Sequence, residues 1–392
     1  MTRPRVLFLC SQPFFQWRGS PIRVRYNLEA LSELGYQVDL VTLPFGQTLE
    51  ISHVSILRVG SLPGIKEIPI GPSLAKLFFD FKMFFRSIRL LRTHDYDLIH
   101  GVEDAGFFAG LLARIFKLPF IYEKHSDPAS YRKKGIRNLI MAIYSRVEAY
   151  SLRRADAVIA TGAGLEQRVH DLAPQTPCTH LFDIPSSRKE PQPEDVRSIR
   201  ETLQSHPKEV LATYVGSFAT YQGIDLLFEA APRALEENPK LRLVIIGGSE
   251  SEIQERQAYL QGTTVSDRVT FVGKVDPDLL PSYLAASDLL LSPRISGHNT
   301  PLKLLDYFKA GGAIVATDME ANRLLLDEST AVFASPTPEG FASALAQLSL
   351  DPEKRETLAG KGRSKIDEVY NFENYRNRLG DIYTSLLPST SS

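Results

Sequence analysis

Cysteine is scarce in this sequence: the 392 residues hold two, Cys10 and Cys178. Neither has a metal-ligand spacing, and so few cannot build a disulfide framework. Both read as buried thiols in a reducing compartment. Tryptophan and methionine are also rare, one and four residues, and mark no cofactor pattern. No His/Asp/Glu cluster has the spacing of a metal site. No GxSxG elbow signals a nucleophilic triad, and neither a GxGxxG fingerprint nor a GxxxxGK[ST] loop occurs. No apolar run reaches the ~18 residues of a membrane span. The start, Met-Thr-Arg-Pro-Arg, leads straight into a strand without an apolar signal region, so a cytoplasmic protein is expected. Net charge is nearly absent, −1 over the chain. With no nucleic-acid-binding signature beside it, nucleic acid is excluded as the expected partner.

What is present is an ordinary globular composition, 43% hydrophobic and 23% charged, too rich in Leu, Ile, Val and Phe for disorder over the bulk of the chain. At roughly 150 residues per domain the length suggests two or three domains. The small net charge conceals a division. Residues 1–182 carry 23 Lys+Arg against 16 Asp+Glu, a net of +7, and residues 183–392 carry 22 against 30, a net of −8. A basic half joined to an acidic half suggests two domains with different partners.

Short apolar runs alternate with helical patterns. Residues 5–10 read as a buried strand, 22–34 as a helix stopped by Gly35, and 37–43 as the next strand. Further strands are read at 98–100, 120–123 and 157–160, with helices near 104–116 and 135–154. Residues 182–208, with Pro185, Pro191, Pro193 and Pro207 among many charges, read as an interdomain linker. The alternation then restarts at 211–215, 241–246, 269–272, 289–292 and 314–317. Such alternation predicts parallel strands with helical crossovers: an α/β protein of two doubly wound, Rossmann-like units. Ligands of such sheets bind at the carboxyl ends of the strands. A glycine-bearing loop follows the first strand of each half, Ser11–Gly19 and Gly216–Gly223. Each suits a phosphate beside a helix N-terminus and equally a plain tight turn.

The segment 292–318, SPRISGHNTPLKLLDYFKAGGAIVATD, carries a family resemblance. It resembles the carboxyl-half signature of GT-B glycosyltransferases, specifically the large retaining group called family 4. That signature has two acidic residues eight apart, a helix ending in Ala-Gly and a strand ending in Ala-Thr-Asp. Asp306 matches the second acid, and Pro301–Tyr307 (PLKLLDY) is similar to a subgroup's Pro-Leu-Lys-Leu-x-Glu-Tyr. YVGSFATYQGIDLLFEA at 214–230, LVIIGG at 243–248, VTFVGK at 269–274 and YLAASDLLLSP at 283–293 resemble successive parts of the same half. Arg18-Gly19-Ser20 and ADAVIA at 155–160 resemble parts of the amino half. The chain departs from the pattern at the first acid, where His298 stands. Asp replaces the usual Glu at 306, and Ser217 and Gln222 stand where the diphosphate loop often carries Arg and Lys.

The resemblance implies a cytoplasmic, retaining transfer of a hexosyl group from a nucleotide-diphosphate sugar, with no metal or other cofactor. The amino half, residues 1–185, would bind the acceptor, and residues 186–370 the donor, with domain closure excluding water. The helix at 371–387, apolar at Phe372, Tyr375, Leu379, Ile382 and Leu386, would pack back on the amino half. Asp306 would hold the ribose, unless it lies on a solvated helix face, and Lys303 the diphosphate, unless it forms a surface ion pair with Asp306 at i, i+3. Arg294 would supply the missing cation. Gly19, Gly216, Ser217, Gln222, Lys274, Asn299 and Thr300 complete the expected donor contacts. His125, in IYEKHSD, is expected beside the transferred sugar, bonded to a hydroxyl or the leaving phosphate. His298 either faces that sugar or is a plain loop residue. Arg18 and Glu103 are the acceptor candidates, Glu103 equally suiting a solvated loop. A degenerate GT-B protein that binds a sugar nucleotide or partner without turnover is the alternative, and an epimerase lacks its pattern of acids here.

The acceptor is expected to be a sugar or a lipid-linked group. Residues 131–154 hold Arg132, Lys133, Lys134, Arg137, Arg146, Arg153 and Arg154 against Glu148 alone. In 74–92, Leu77, Phe81, Phe84, Ile88 and Leu91 form a stripe expected to face the core, flanked by Lys82, Arg86 and Arg89. Phe78, Phe79 and Phe85 fall outside it. Basic and aromatic faces of this kind suit peripheral contact with an anionic membrane, the inner face in a cytoplasmic protein.

Overall fold

The computed structural model describes residues 3–16, 19–65, 68, 74–126, 136–297 and 300–387. The chain divides into two compact units, one of residues 1–183 with 372–392 and one of residues 184–371. In the first unit the strands are β1 Arg5–Cys10, β2 Gln37–Thr42, β3 Val54–Arg58, β4 Leu98–Val102, β5 Phe120–Lys124, β6 Ala157–Ala160 and β7 Cys178–His180. They form one parallel sheet in the order β3-β2-β1-β4-β5-β6-β7. The second unit has β8 Val210–Val215, β9 Leu241–Ile246, β10 Val269–Gly273, β11 Leu289–Ser292, β12 Ala313–Thr317 and β13 Ala331–Ala334, in the order β10-β9-β8-β11-β12-β13. Both are doubly wound α/β sheets, the class expected. Central strands are buried on both faces and therefore read as largely apolar runs. β3 and β7 are edge strands without such a run, which is why the sequence did not show them, and β13, a four-residue edge strand, was also not read.

The strand order reverses beside β1 in the first sheet and beside β8 in the second, so each sheet has a switch point where carboxyl-end loops diverge. The helix Phe372–Leu386 belongs to the first unit. It packs on the helix Gly19–Glu33 and buries Tyr375, Leu379 and Tyr383.

Three expectations are corrected. The stretch 182–208 is not all linker: Pro193–Leu203 is a helix. Its proline occupies the first turn, where no N–H is needed, and Glu194 and Asp195 face the positive end of the helix dipole. Cys178 is only half-buried, because β7 is an edge. The helix Leu74–Thr93 is rotated relative to the expected stripe. Leu77 and Phe81 are 64% and 62% exposed, while Phe79, Met83 and Ser87 are fully buried. Of the expected stripe, Leu91 is buried in the core, and Phe84 and Ile88 pack at its margin. The buried set at i, i+4 and i+8 is narrower than the apolar face, and hydrophobic periodicity alone could not choose between them.

Candidate functional site

In the first unit the carboxyl ends of β1, β4 and β5 gather a polar cluster. The helix Gly19–Glu33 starts there, and Ser20 Oγ is hydrogen-bonded to Nδ1 of His125. Nε2 of His125 lies 2.7 Å from Oε1 of Glu123. The backbone N–H of His125 donates to Oε1 of Glu103. Ser126 donates its N–H to the same oxygen at 2.6 Å and its hydroxyl to Oε2 at 3.0 Å. Glu103 adopts a left-handed backbone, φ 51°, uncommon for a side-chain-bearing residue. Its carboxylate is therefore occupied in bracing the loop of His125 and is not a simple solvated group. Next to it, Asp104 pairs with Lys76 and accepts a hydrogen bond from the Tyr144 hydroxyl. Asp80 accepts one from Ser11, and burial pushes its carboxyl upward. Arg18 lies outside the described residues, as do Asp127, Arg132, Lys133 and Lys134.

In the second unit the loop after β8 and the segment after β11 meet. Gly223 has φ 72°, and a Cβ there would stand 1.8 Å from the carbonyl oxygen of Pro293. Only glycine lets the two segments touch. Lys303, at the start of the helix Lys303–Ala310, places Nζ 3.4 Å from the carbonyl oxygen of Val215 and 3.3 Å from Oε1 of Gln222. The same ammonium sits 4.6 Å above the ring of Tyr214. Arg294 lies 5.4 Å over the ring of Tyr221 and donates through Nε to the carbonyl oxygen of Ser296 at 2.8 Å. Among the described residues neither cation has a carboxylate partner. Burial, with the charge of Arg294 added, brings Lys303 down to about 7. A nearby anion would reverse that shift.

Asp306 is engaged elsewhere. Its Oδ1 accepts the N–H of Ser186 at 2.6 Å, beside a small pocket lined by Ser187, Pro191, Leu280, Leu284 and Lys309. Burial pushes its carboxyl up to about 6, with the Ser186 hydrogen bond opposing. No ion pair joins it to Lys303. Ser217 is exposed, its carbonyl oxygen receiving the Tyr214 hydroxyl at 2.7 Å. Thr300 is half-buried and Lys274 exposed beyond β10. His298 and Asn299 lie outside the described residues. The structure thus brings Gly216, Gln222, Arg294 and Lys303 to one strand-end region, and Gly19, Glu103 and His125 to another, while Asp306 and Lys274 stand apart from the cation pair.

The family described as Glycosyltransferase Family 4 matches residues 17–179 and that of glycosyl transferases group 1 matches residues 195–365, so between them they span both units. This chain belongs to the family 4-like glycosyltransferases of GT-B fold. The glycosyltransferase is 22% identical over 371 residues to the phosphatidyl-myo-inositol mannosyltransferase of Mycolicibacterium smegmatis, covering 92% of this chain and 89% of that protein. In fold it is similar to sucrose-phosphate synthase from Thermosynechococcus elongatus, with a TM-score of 0.77 at 21% identity over 98% of this chain and 99% of that one. It is also similar to HepE of Anabaena, solved in complex with UDP-glucose, with a TM-score of 0.72 at 16% identity over 97% and 100% of the two chains.

The sequence reading missed Ser20 and Glu123 of the first cluster. One signal was there to find. β5 reads FIYEK, and the charged pair Glu123-Lys124 ends an otherwise apolar strand that is wholly buried. Charge in such a strand needs internal partners.

Proposed function

We propose that this glycosyltransferase moves a sugar from a nucleotide-diphosphate sugar to an acceptor with retention of anomeric configuration. The observation that carries the donor class is the pair Arg294 and Lys303, two cations at a strand switch point with no carboxylate between them. A diphosphate supplies the missing charge, and the same cations would then stabilise the negative charge that grows on it as the glycosidic bond breaks. The similarity to HepE, which was solved with UDP-glucose, supports a nucleotide sugar. In this reading the second unit holds the donor, Asp306 gives up its hydrogen bond from Ser186 for the ribose hydroxyls, and no metal is required. The first unit holds the acceptor and presents His125 to the transferred sugar. Binding without turnover, the other reading of the sequence, is not favoured by glycosyltransferase matches in both units.

Thermal melting against a panel of sugar nucleotides tests this first. A donor at 100 times its dissociation constant should stabilise by about 2.7 kcal/mol. Transfer by the selected donor, with the product anomer read by NMR, tests retention. Stabilisation by none of the panel, or an inverted product, would sink the proposal.

The first unit is further proposed to rest on an anionic membrane carrying a lipid-linked acceptor. Leu77, Phe78, Phe81 and Phe85 are exposed on the helix Leu74–Thr93. The adjoining helices Ala105–Phe116 and Ile136–Leu152 expose Leu111, Ile115, Ile143, Val147 and Tyr150. Arg89, Arg114, Arg146 and Arg154 accompany them, Arg154 lying 4.4 Å over the ring of Tyr150. Apolar groups interleaved with cations that have no carboxylate partner among the described residues match the interface of an anionic bilayer. Among the described residues no helix is long and apolar enough to cross a membrane.

A further inference from the structure

Glu123 is fully buried, and its two oxygens are both engaged. Oε1 faces Nε2 of His125 at 2.7 Å. Oε2 accepts from Asn27 Nδ2 at 2.6 Å and lies 2.9 Å from Nε2 of His100. Burial alone would push this carboxyl up, but His125 and His100 outweigh it and hold it below the usual carboxylate range. The second ring of partners comes from the far end of the chain. Asn27 Oδ1 accepts the hydroxyl of Tyr375 at 2.6 Å, and Nδ1 of His100 lies 2.6 Å from the hydroxyl of Tyr383. Both tyrosines are fully buried and belong to the helix Phe372–Leu386.

An ionised carboxylate can only accept hydrogen bonds. The His125 nitrogen facing it therefore carries the proton, and in a neutral imidazole the other nitrogen is then an acceptor. That nitrogen is Nδ1, and its partner here is the Ser20 hydroxyl, a group that can donate. We propose that Glu123 is a positioning residue: it holds neutral His125 as a hydrogen-bond acceptor for a hydroxyl of the transferred sugar, which takes the place of the Ser20 hydroxyl at Nδ1, and the last helix completes that assembly through Tyr375 and Tyr383. A phosphate oxygen, which cannot donate, is not the group this arrangement receives. The inference rests on the reading of His125 as a residue of the sugar site.

Nitrogen-15 NMR of the histidine-labelled protein, with the His125 signals identified by their loss in His125→Ala, reads the tautomer directly. Protonation at Nε2 with a bare Nδ1 is expected, and a protonated Nδ1 would overturn the proposal. In kinetics, Glu123→Gln should lower kcat by about 10- to 1000-fold, as when the partner that orients a functional histidine is lost, with little change in KM. Tyr383→Phe, which deletes one hydroxyl, should retain the fold, move the tautomer populations and lower kcat less. If His125→Ala keeps full turnover, the site reading and this inference both fall. If His125→Ala is inactive while Glu123→Gln and Tyr383→Phe match the parent protein, the site reading stands and the inference is overturned.

Discussion

The two units share a sheet type and differ in how their strand-end groups are paired. In the first, each described group of the cluster has an internal partner: Glu103 braces the loop of His125, Glu123 orients its ring, and Asp104 holds Lys76. In the second, Lys303 and Arg294 have only carbonyl, amide and ring contacts among the described residues. A satisfied network keeps its geometry before any ligand arrives, whereas unmatched positive charge is a standing cost that an arriving anion relieves. The contrast suits a polar, neutral partner for one unit and a diphosphate for the other.

The contrast breaks most sharply if His125 proves dispensable. His125→Ala should lose on the order of 100-fold or more of transfer activity, and its melting temperature should also fall, because the buried carboxylate of Glu123 loses a partner. Initial rates beside a melting curve check both halves of that expectation.

Lys303→Ala should weaken nucleoside diphosphate binding by about 1–3 kcal/mol, the worth of a charged hydrogen bond. The pH dependence sharpens the assignment. Lys303 titrates near 7 when no anion is bound, and a bound diphosphate would raise that value. Binding above pH 7 must then take up a proton, so affinity should fall as pH rises. Calorimetry between pH 7 and 9 should show that slope in the parent protein and its loss in Lys303→Ala. A slope that persists in the variant would remove Lys303 from the phosphate site.

Asp306 offers a smaller effect of opposite sign. Its carboxyl titrates at about 6 in the folded chain against an ordinary 3.8, so folding disfavours the charged form. Stability is complete below the ordinary value and is lost as pH rises through about 6. Asp306→Asn keeps an oxygen for the N–H of Ser186 and should stabilise the protein at pH 8 by on the order of 1–2 kcal/mol. The gain should vanish at low pH, and nucleotide affinity should fall. Melting curves at pH 4 and pH 8 decide it, and no gain at pH 8 would contradict the argument.

The surface effect is the smallest. Phe81→Asp should cut co-sedimentation with anionic vesicles without lowering turnover on a soluble acceptor analogue. Binding should weaken with salt, at roughly 1 kcal/mol per well-placed basic residue. Negligible binding to anionic and neutral vesicles alike would favour a soluble acceptor.

Family resemblance marked the segment around PLKLLDY. Local pattern alone determined the alternation of strands and helices and the division into a basic and an acidic half. These are properties of neighbours in the chain: apolar runs, turn glycines and helix starts act over a few residues, so they are legible before folding. The rotation of the helix at 74–93 was not legible, because its apolar residues exceed what one core contact can cover and only the packed neighbours choose Phe79 and Met83 over Leu77 and Phe81. The same holds for Asp306, whose partner Ser186 lies far off in the chain. It holds most of all for the shell of His125, in which Asn27, His100, Glu123 and Tyr383 arrive from four separate elements. A buried carboxylate needs partners from whatever surrounds it, and what surrounds it is decided only when the sheet and the last helix close together.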